Sequence, residues 1–157
     1  GHQHVGLGHH LINLFRELPE TRLIIVGSAG SLFIDEDKTR KIVDSPKLPA
    51  LLKESFLAQT VNLVDVENTD IQWTYISPAL FFDAAGVQTN SYQRGGDIAL
   101  VNSKGYSYIS YYDYALAVVD EIEQAQYIKE RFSVITEVGK SSIMTTMMNK
   151  TMKRVLK

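Results

Sequence analysis

A chain of 157 residues that is 45% hydrophobic and 22% charged is long enough for one domain and apolar enough to fold around a core. It has no cysteine, which excludes disulfides, thiolate metal sites and cysteine nucleophiles, and its net charge of −2 gives no reason to expect nucleic acid as a partner. No run reaches the ~18 apolar residues of a membrane span and the polar start does not resemble a signal peptide, so a cytoplasmic protein with no membrane partner is expected.

The chain begins at Gly1 and has no methionine before Met144, which predicts a natural start further upstream. Four histidines (His2, His4, His9 and His10) lie within the first ten residues. Their spacing fits no recognised metal site and no carboxylate is interleaved, so no metal is expected. Apolar residues then recur at Leu7, Leu11, Leu14, Phe15 and Leu18, with Pro19 just beyond, which predicts a helix over 5–18. The continuous apolar run Leu23–Val26, closed by Gly27, suits a strand buried on both faces, as in a parallel sheet. A tight small-residue loop, Gly27–Ser31, follows it.

A charged loop leads to Pro49, which suits a first helical turn, and the pattern predicts a helix over 49–67 with Leu52, Phe56, Val61, Leu63 and Val64 on a broad face. Asp70–Ser77 reads as the next strand, stopped by Pro78. Strand, long helix, strand is a βαβ unit, which implies parallel pairing. Residues 80–96 are expected to be loop. Ile98–Val101 and Tyr106–Ile109 are strand candidates around the turn Asn102–Gly105. Ser110-Tyr111-Tyr112-Asp113 matches a capping box ahead of the run Ala115, Leu116, Val118, Val119 and Ile122. Arg131–Thr136 is the last expected strand. Residues 138–157 carry five basic and no acidic residues, leaving −7 on the remainder, and all four methionines lie there. The expected division is therefore one α/β domain over 1–137 and a basic, poorly ordered tail over 138–157.

Four separated motifs carry a resemblance. Leu23–Ser31 (LIIVGSAGS), Trp73–Phe82 (WTYISPALFF), Thr89–Tyr92 (TNSY) and Gly105–Ala115 (GYSYISYYDYA) resemble, in order and spacing, the later half of the NmrA-like atypical short-chain dehydrogenases. The nearest group is the small bacterial set named as NADH-flavin reductases. The resemblance spans roughly 1–136 and implies an NAD(P)-binding, Rossmann-type parallel sheet. The family opens with a G-x-x-G-x-x-G fingerprint that holds the pyrophosphate at a helix N-terminus. That fingerprint is not in this sequence, so the leading strands and the phosphate-binding loop, on the order of 80 residues, are expected to be missing.

Carried over residue by residue, the resemblance implies NAD(P)H as cofactor and a flavin or other small conjugated molecule as substrate. Ser28 takes the position of the short-chain dehydrogenase serine, as a catalytic hydrogen-bonding group. Gly27 and Ala29 hold that turn close to the nicotinamide. Ser77, Pro78 and Ala79 form the loop that packs on the nicotinamide ring, and Phe81 and Phe82 wall the substrate by stacking. Each has a plainer alternative: a serine satisfying turn backbone, a proline ending a strand, two core phenylalanines. Tyr92, Ser110 and Asp113 match family positions but look structural. The family's usual Tyr/Lys pair, four apart on the helix at 49–67, is replaced: alignment on Ala58-Gln59 puts Leu51 and Ser55 there. The implied activity is hydride transfer to a flavin-like acceptor. The alternatives are a non-catalytic NAD(P)-binding or sensing protein and an inactive truncated fragment. An exposed sheet edge would favour homo-oligomers.

Overall fold

The computed structural model describes residues 2–137 and 143–157. Helix α1 (His2–Arg16) leads into strand β1 (Arg22–Val26), and helix α2 (Ala50–Glu67) crosses over to strand β2 (Gln72–Ser77). Three short strands follow, β3 (Phe81–Asp83), β4 (Gln93–Gly95) and β5 (Tyr108–Ser110). Helix α3 (Tyr111–Gln124), strand β6 (Glu130–Ile135) and helix α4 (Ile143–Met152) complete the order. The main sheet runs β1-β2-β6-β4, parallel except for β4, and β3 pairs with β5 in a separate parallel pair. This is a mixed α/β fold with a mostly parallel sheet. Among the described residues no helix is long and apolar enough to cross a membrane.

Strand periodicity divides the core into two faces. Leu23, Ile25, Trp73 and Tyr75 point to one side, where they pack with Ile12 of α1 and with Leu63 and Val66 of α2. Ile24, Ile76, Phe132 and Val134 point to the other, against Tyr114 and Ala117 of α3. Register keeps these sets together: Ile25 lies opposite Tyr75, and Ile76 opposite Phe132.

The α1 stripe expected from the sequence is only half used. Phe15 packs on the core beside the buried Ile12, while Leu7 and Leu14 are exposed, as is Leu18 past the helix end. The buried stripe of α3 also differs from the expected apolar run. It consists of Asp113, Tyr114, Ala117 and Glu121, with Val119 and Ile122 exposed. Ser110 does cap this helix. Its hydroxyl accepts from the Asp113 amide at 3.1 Å and donates to the Asp113 carboxylate at 2.9 Å. The same carboxylate accepts from the Thr89 and Asn90 amides, pinning the 89–92 loop to the helix start. Tyr92 hydrogen-bonds Asp120 at 2.6 Å. These three residues act as structure.

Two expectations about irregular regions are corrected. Ile98–Val101 is not a strand paired across the Asn102–Gly105 turn. Its backbone instead meets the loop after β1, with Ala99 N–H donating to Phe33 O at 2.8 Å and a single bridge from Phe33 to Ile98. The 80–96 loop contains β3 and β4, each too short to show a periodicity.

The poorly ordered tail is likewise corrected for the residues described; 138–142 lie outside them. α4 docks on the body. Met152 and Val155 are buried in a cluster with Ala29, Leu32, Ile42, Leu48 and Leu80. Ser45 Oγ donates to Val155 O at 3.1 Å, and Lys153 Nζ sits 5.5 Å from the Tyr106 ring centre. The apolar residues that dock are Met152 and Val155, three apart and so on one helical face. Asn149, also buried, has neither side-chain polar atom hydrogen-bonded. Asn149→Leu is therefore expected to stabilise the chain by on the order of 1–3 kcal/mol, read as a higher urea midpoint at unchanged slope.

Candidate functional site

Parallel pairing of β1 and β2 brings their C-terminal ends side by side. The segments that leave them, Gly27–Ala29 and Pro78–Phe82, therefore emerge at one edge of the sheet. Open α/β sheets bind ligands at this edge. A cleft of about 290 Å³ lies there, lined by Gly27, Ser28, Ala29, Pro78, Ala79, Phe81 and Phe82 from the two loops. Leu52, Phe56 and Gln59 of α2 and Met148 and Met152 of α4 form further wall. The structure thus brings together the residues singled out after β1 and β2, with one exception in placement. Ser77 lies beneath the cleft, fully buried at the end of β2 with its hydroxyl unbonded.

Ser28 is buried and starts the short turn Ala29–Ser31, accepting from the Gly30 amide at 3.3 Å. Its backbone N–H donates to the Tyr75 hydroxyl at 3.2 Å, and that hydroxyl donates to Gln59 O at 3.2 Å. Tyr75 thereby ties the β1 loop to α2 from below. Burial pushes its phenol above the ordinary value, against the smaller opposing effect of the Ser28 hydrogen bonds, so it stays a donor at neutral pH. A Cβ at Gly27 would fall inside the Tyr75 ring, so glycine here is dictated by Tyr75 whether or not a ligand is close.

The aromatic pair is partly spoken for. Phe82 packs on Tyr111 and Tyr114, with ring centres 4.1 and 4.7 Å apart, and Phe81 meets Tyr108 edge-on at 5.7 Å. Both remain half-buried and reach the cleft. On α2, Leu51 is 90% exposed, so the positions that face the cleft are shifted by one from the alignment. Leu52 and Phe56, four apart, stand there, and neither can move a proton. Gln59 continues the same stripe. Its Nε2 donates to Ser55 at 3.4 Å, and its Oε1 is buried without a hydrogen bond.

Sequence reasoning missed Leu52, Phe56, Gln59, Tyr75, Met148 and Met152. The i, i+4, i+7 spacing of 52, 56 and 59 was a usable signal for α2. Nothing local distinguishes Tyr75, whose importance arises from the loop folding over it. Among the histidines, His9 bonds Asp65 at 2.9 Å and links α1 to α2. No group of three His, Asp or Glu side chains able to hold a metal occurs among the described residues.

No family model matches the chain. It is 50% identical over 137 residues to a Bacillus subtilis protein described as "Uncharacterized protein YwnB", covering 87% of this chain and 64% of that protein. Among solved structures it is similar to a "putative NADH-flavin reductase" from Streptococcus pneumoniae, with a TM-score of 0.78 and 40% identity over 85% of this chain and 65% of the other. It is also similar to a "putative exported protein" from Burkholderia pseudomallei, with a TM-score of 0.76 and 30% identity over 85% of this chain and 64% of the other. The chain therefore spans just under two thirds of the length of the relatives it matches.

Proposed function

We infer that this chain belongs with the Rossmann-like proteins of NADH-flavin reductase type, in the NmrA-like branch of the atypical short-chain dehydrogenases, and that its cleft is where NAD(P)H would meet a flavin or a similar conjugated acceptor. One observation carries this reading: the loops after two adjacent parallel strands share one largely apolar cleft. The similarity to a protein described as an NADH-flavin reductase supports it.

The residues fit a nicotinamide. Its carboxamide needs a donor and an acceptor. The Ser28 hydroxyl lines the cleft, and Gln59 Oε1 is an unbonded acceptor at the same cleft. Bound there, the cofactor would supply a hydride. The chain's own part is positioning: Ser28 and Gln59 orient, Ala79 and Pro78 floor the site, and Phe81 with Phe56 excludes water. Leu52 and Phe56 supply no acid or base, which suits an acceptor whose protons come from solvent better than it suits ketone reduction.

The test measures consumption of NADH and NADPH with riboflavin or FMN, by this chain and by the Bacillus subtilis relative in parallel. Turnover by the relative is expected. Turnover by neither, with either cofactor, would sink the activity. The absence of a proton-transfer pair on the cleft face of α2 favours a second reading, a non-catalytic NAD(P) sensor. Saturable cofactor binding without hydride transfer selects it.

Ser28→Ala is expected to weaken NADH binding about tenfold, the worth of one hydrogen bond, while costing about 1 kcal/mol or less in stability. Titration calorimetry beside a thermal melt separates the two effects. Reduced nicotinamide supply puts the proposed activity in the cytoplasm, which cell fractionation checks. Self-association is also proposed, through the exposed Leu57, Val61 and Val64 of α2 and the β1 edge at Val26. Sedimentation should then give a mass above 17.6 kDa, and a strict monomer at micromolar concentration would contradict it.

A further inference from the structure

Two side chains of the methionine-bearing C-terminal helix, Met148 and Met152, line the cleft. Met152 is anchored, 5% exposed among Ala29, Leu32, Leu48 and Leu80. Met148, one turn earlier, is 37% exposed and faces the cleft beside Phe81 and Phe82. Met147, its neighbour in sequence, is 64% exposed and not part of the lining. The buried Met152 and, just past the helix, the Ser45 and Lys153 hydrogen bonds tie this segment to the body one turn from Met148.

The cleft's volume of about 290 Å³ sits at the lower end of the range for sites that enclose drug-sized ligands, ~300–1,000 Å³. Space is therefore limiting, and the wall with freedom to adjust is the unbranched thioether of Met148. A thioether also makes favourable contacts with aromatic ring edges. Phe82, by contrast, is held between Tyr111 and Tyr114.

We propose that Met148 is a specificity-determining residue of the acceptor site, setting the size of the flat ring system admitted between α4 and the Pro78–Phe82 loop. The proposal rests on the reading of the cleft as an acceptor site. Met148 touches the acceptor, not the reacting atoms, so its effect falls on binding and on choice among acceptors.

The test uses the whole chain and riboflavin. Binding is followed by quenching of flavin fluorescence. Met148→Phe, which overfills the space, is expected to weaken binding about tenfold, and Met148→Ala to shift preference toward a riboflavin analogue bulkier at the ring edge over riboflavin itself. Because Met148 is not in the core, both variants should melt with the parent. A second readout is independent of the substitutions. Hydrogen peroxide transfers one oxygen atom to each exposed Met sulfur, giving sulfoxide and water, and mass spectrometry locates it. Saturating riboflavin should slow oxidation of Met148 several-fold and leave Met147 unchanged. Riboflavin binding that neither protects Met148 nor responds to Met148→Phe would overturn the proposal and leave the site reading intact. Failure of riboflavin to bind any form would overturn the acceptor reading itself, and the role of Met148 with it.

Discussion

Replacing Gly27 with alanine is expected to destabilise the chain by about 2–6 kcal/mol in the absence of any ligand, a melting decrease of about 4–24 °C for a domain of this size. The loss has two sources. The new methyl group would overlap the Tyr75 ring, which is fully buried between α2 and the sheet. Overpacking of this kind costs about 1–3 kcal/mol. Displacing the ring also withdraws its hydroxyl from the Ser28 amide and from Gln59 O, and buried groups left unbonded add a penalty of about 1–3 kcal/mol. The two contributions separate by mutation. Tyr75→Phe keeps the ring and removes only the hydrogen bonds, so it should show only the second loss. Tyr75→Leu in the Gly27→Ala background relieves the collision, so the pair should be less destabilising than the sum of the single changes. A Gly27→Ala chain that melts within a degree of the parent would refute this packing account.

Gly27 also marks how far sequence reading reaches. That a glycine closes the strand, and that a small-residue loop follows, was plain from the apolar run Leu23–Val26. The expected reason was close approach of a nicotinamide. The packing reason is a tyrosine 48 positions later in sequence, on the neighbouring strand, which no local pattern shows. The same division holds across the molecule. β1, α2, β2, α3 and β6 were legible because each repeats a pattern over five or more residues, and because Ser110 caps where its motif predicts. β3 and β4 have three residues each and exist through their partners, Tyr108–Ser110 and Ser133–Ile135. Ile98–Val101 has strand composition, but its backbone bonds are taken by Phe33. The expectation of a poorly ordered tail rests on the composition of 138–157, five basic residues and no acidic one, rather than on α4 itself. Its docking depends on Met152 and Val155, and on a hydrophobic floor assembled from distant segments.

The candidate site follows the same rule. The residues on the two β-strand exits are singled out by the family resemblance of two contiguous motifs, Leu23–Ser31 and Trp73–Phe82. The walls from α2 and α4 depend on how helices turn toward that edge. A one-residue shift in helical phase moved the cleft-facing pair from Leu51 and Ser55 to Leu52 and Phe56. Both pairs lack a proton donor, so the chemical inference survives the shift, while the shape of the pocket does not.

Glu121→Ala is the other large effect, an expected loss of about 3–5 kcal/mol. Glu121 lies on the buried stripe of α3 with Asp113, Tyr114 and Ala117, and it is completely buried. Its carboxylate receives Arg22 Nη1 at 2.5 Å and the backbone amides of Gln126 and Tyr127 at 3.2 and 3.1 Å. Those two amides follow the end of α3, where Ala125 takes a left-handed conformation and the chain turns toward β6. One carboxylate therefore joins the start of β1, the end of α3 and the approach to β6. Removing it leaves a guanidinium, whose side chain is 13% exposed, without its charge partner and leaves two amides unbonded. Glu121→Gln keeps the shape and one acceptor but presents an amide N–H toward donors, so an intermediate loss is expected. Replacing both partners, as Arg22→Met with Glu121→Leu, removes the stranded charge and should recover most of the loss attributable to it, though not the share from the two amides. Urea midpoints for the four forms, with slopes compared, measure these differences. If the double variant is as unstable as Glu121→Ala, the cost lies in the chain turn after α3 rather than in the buried ion pair.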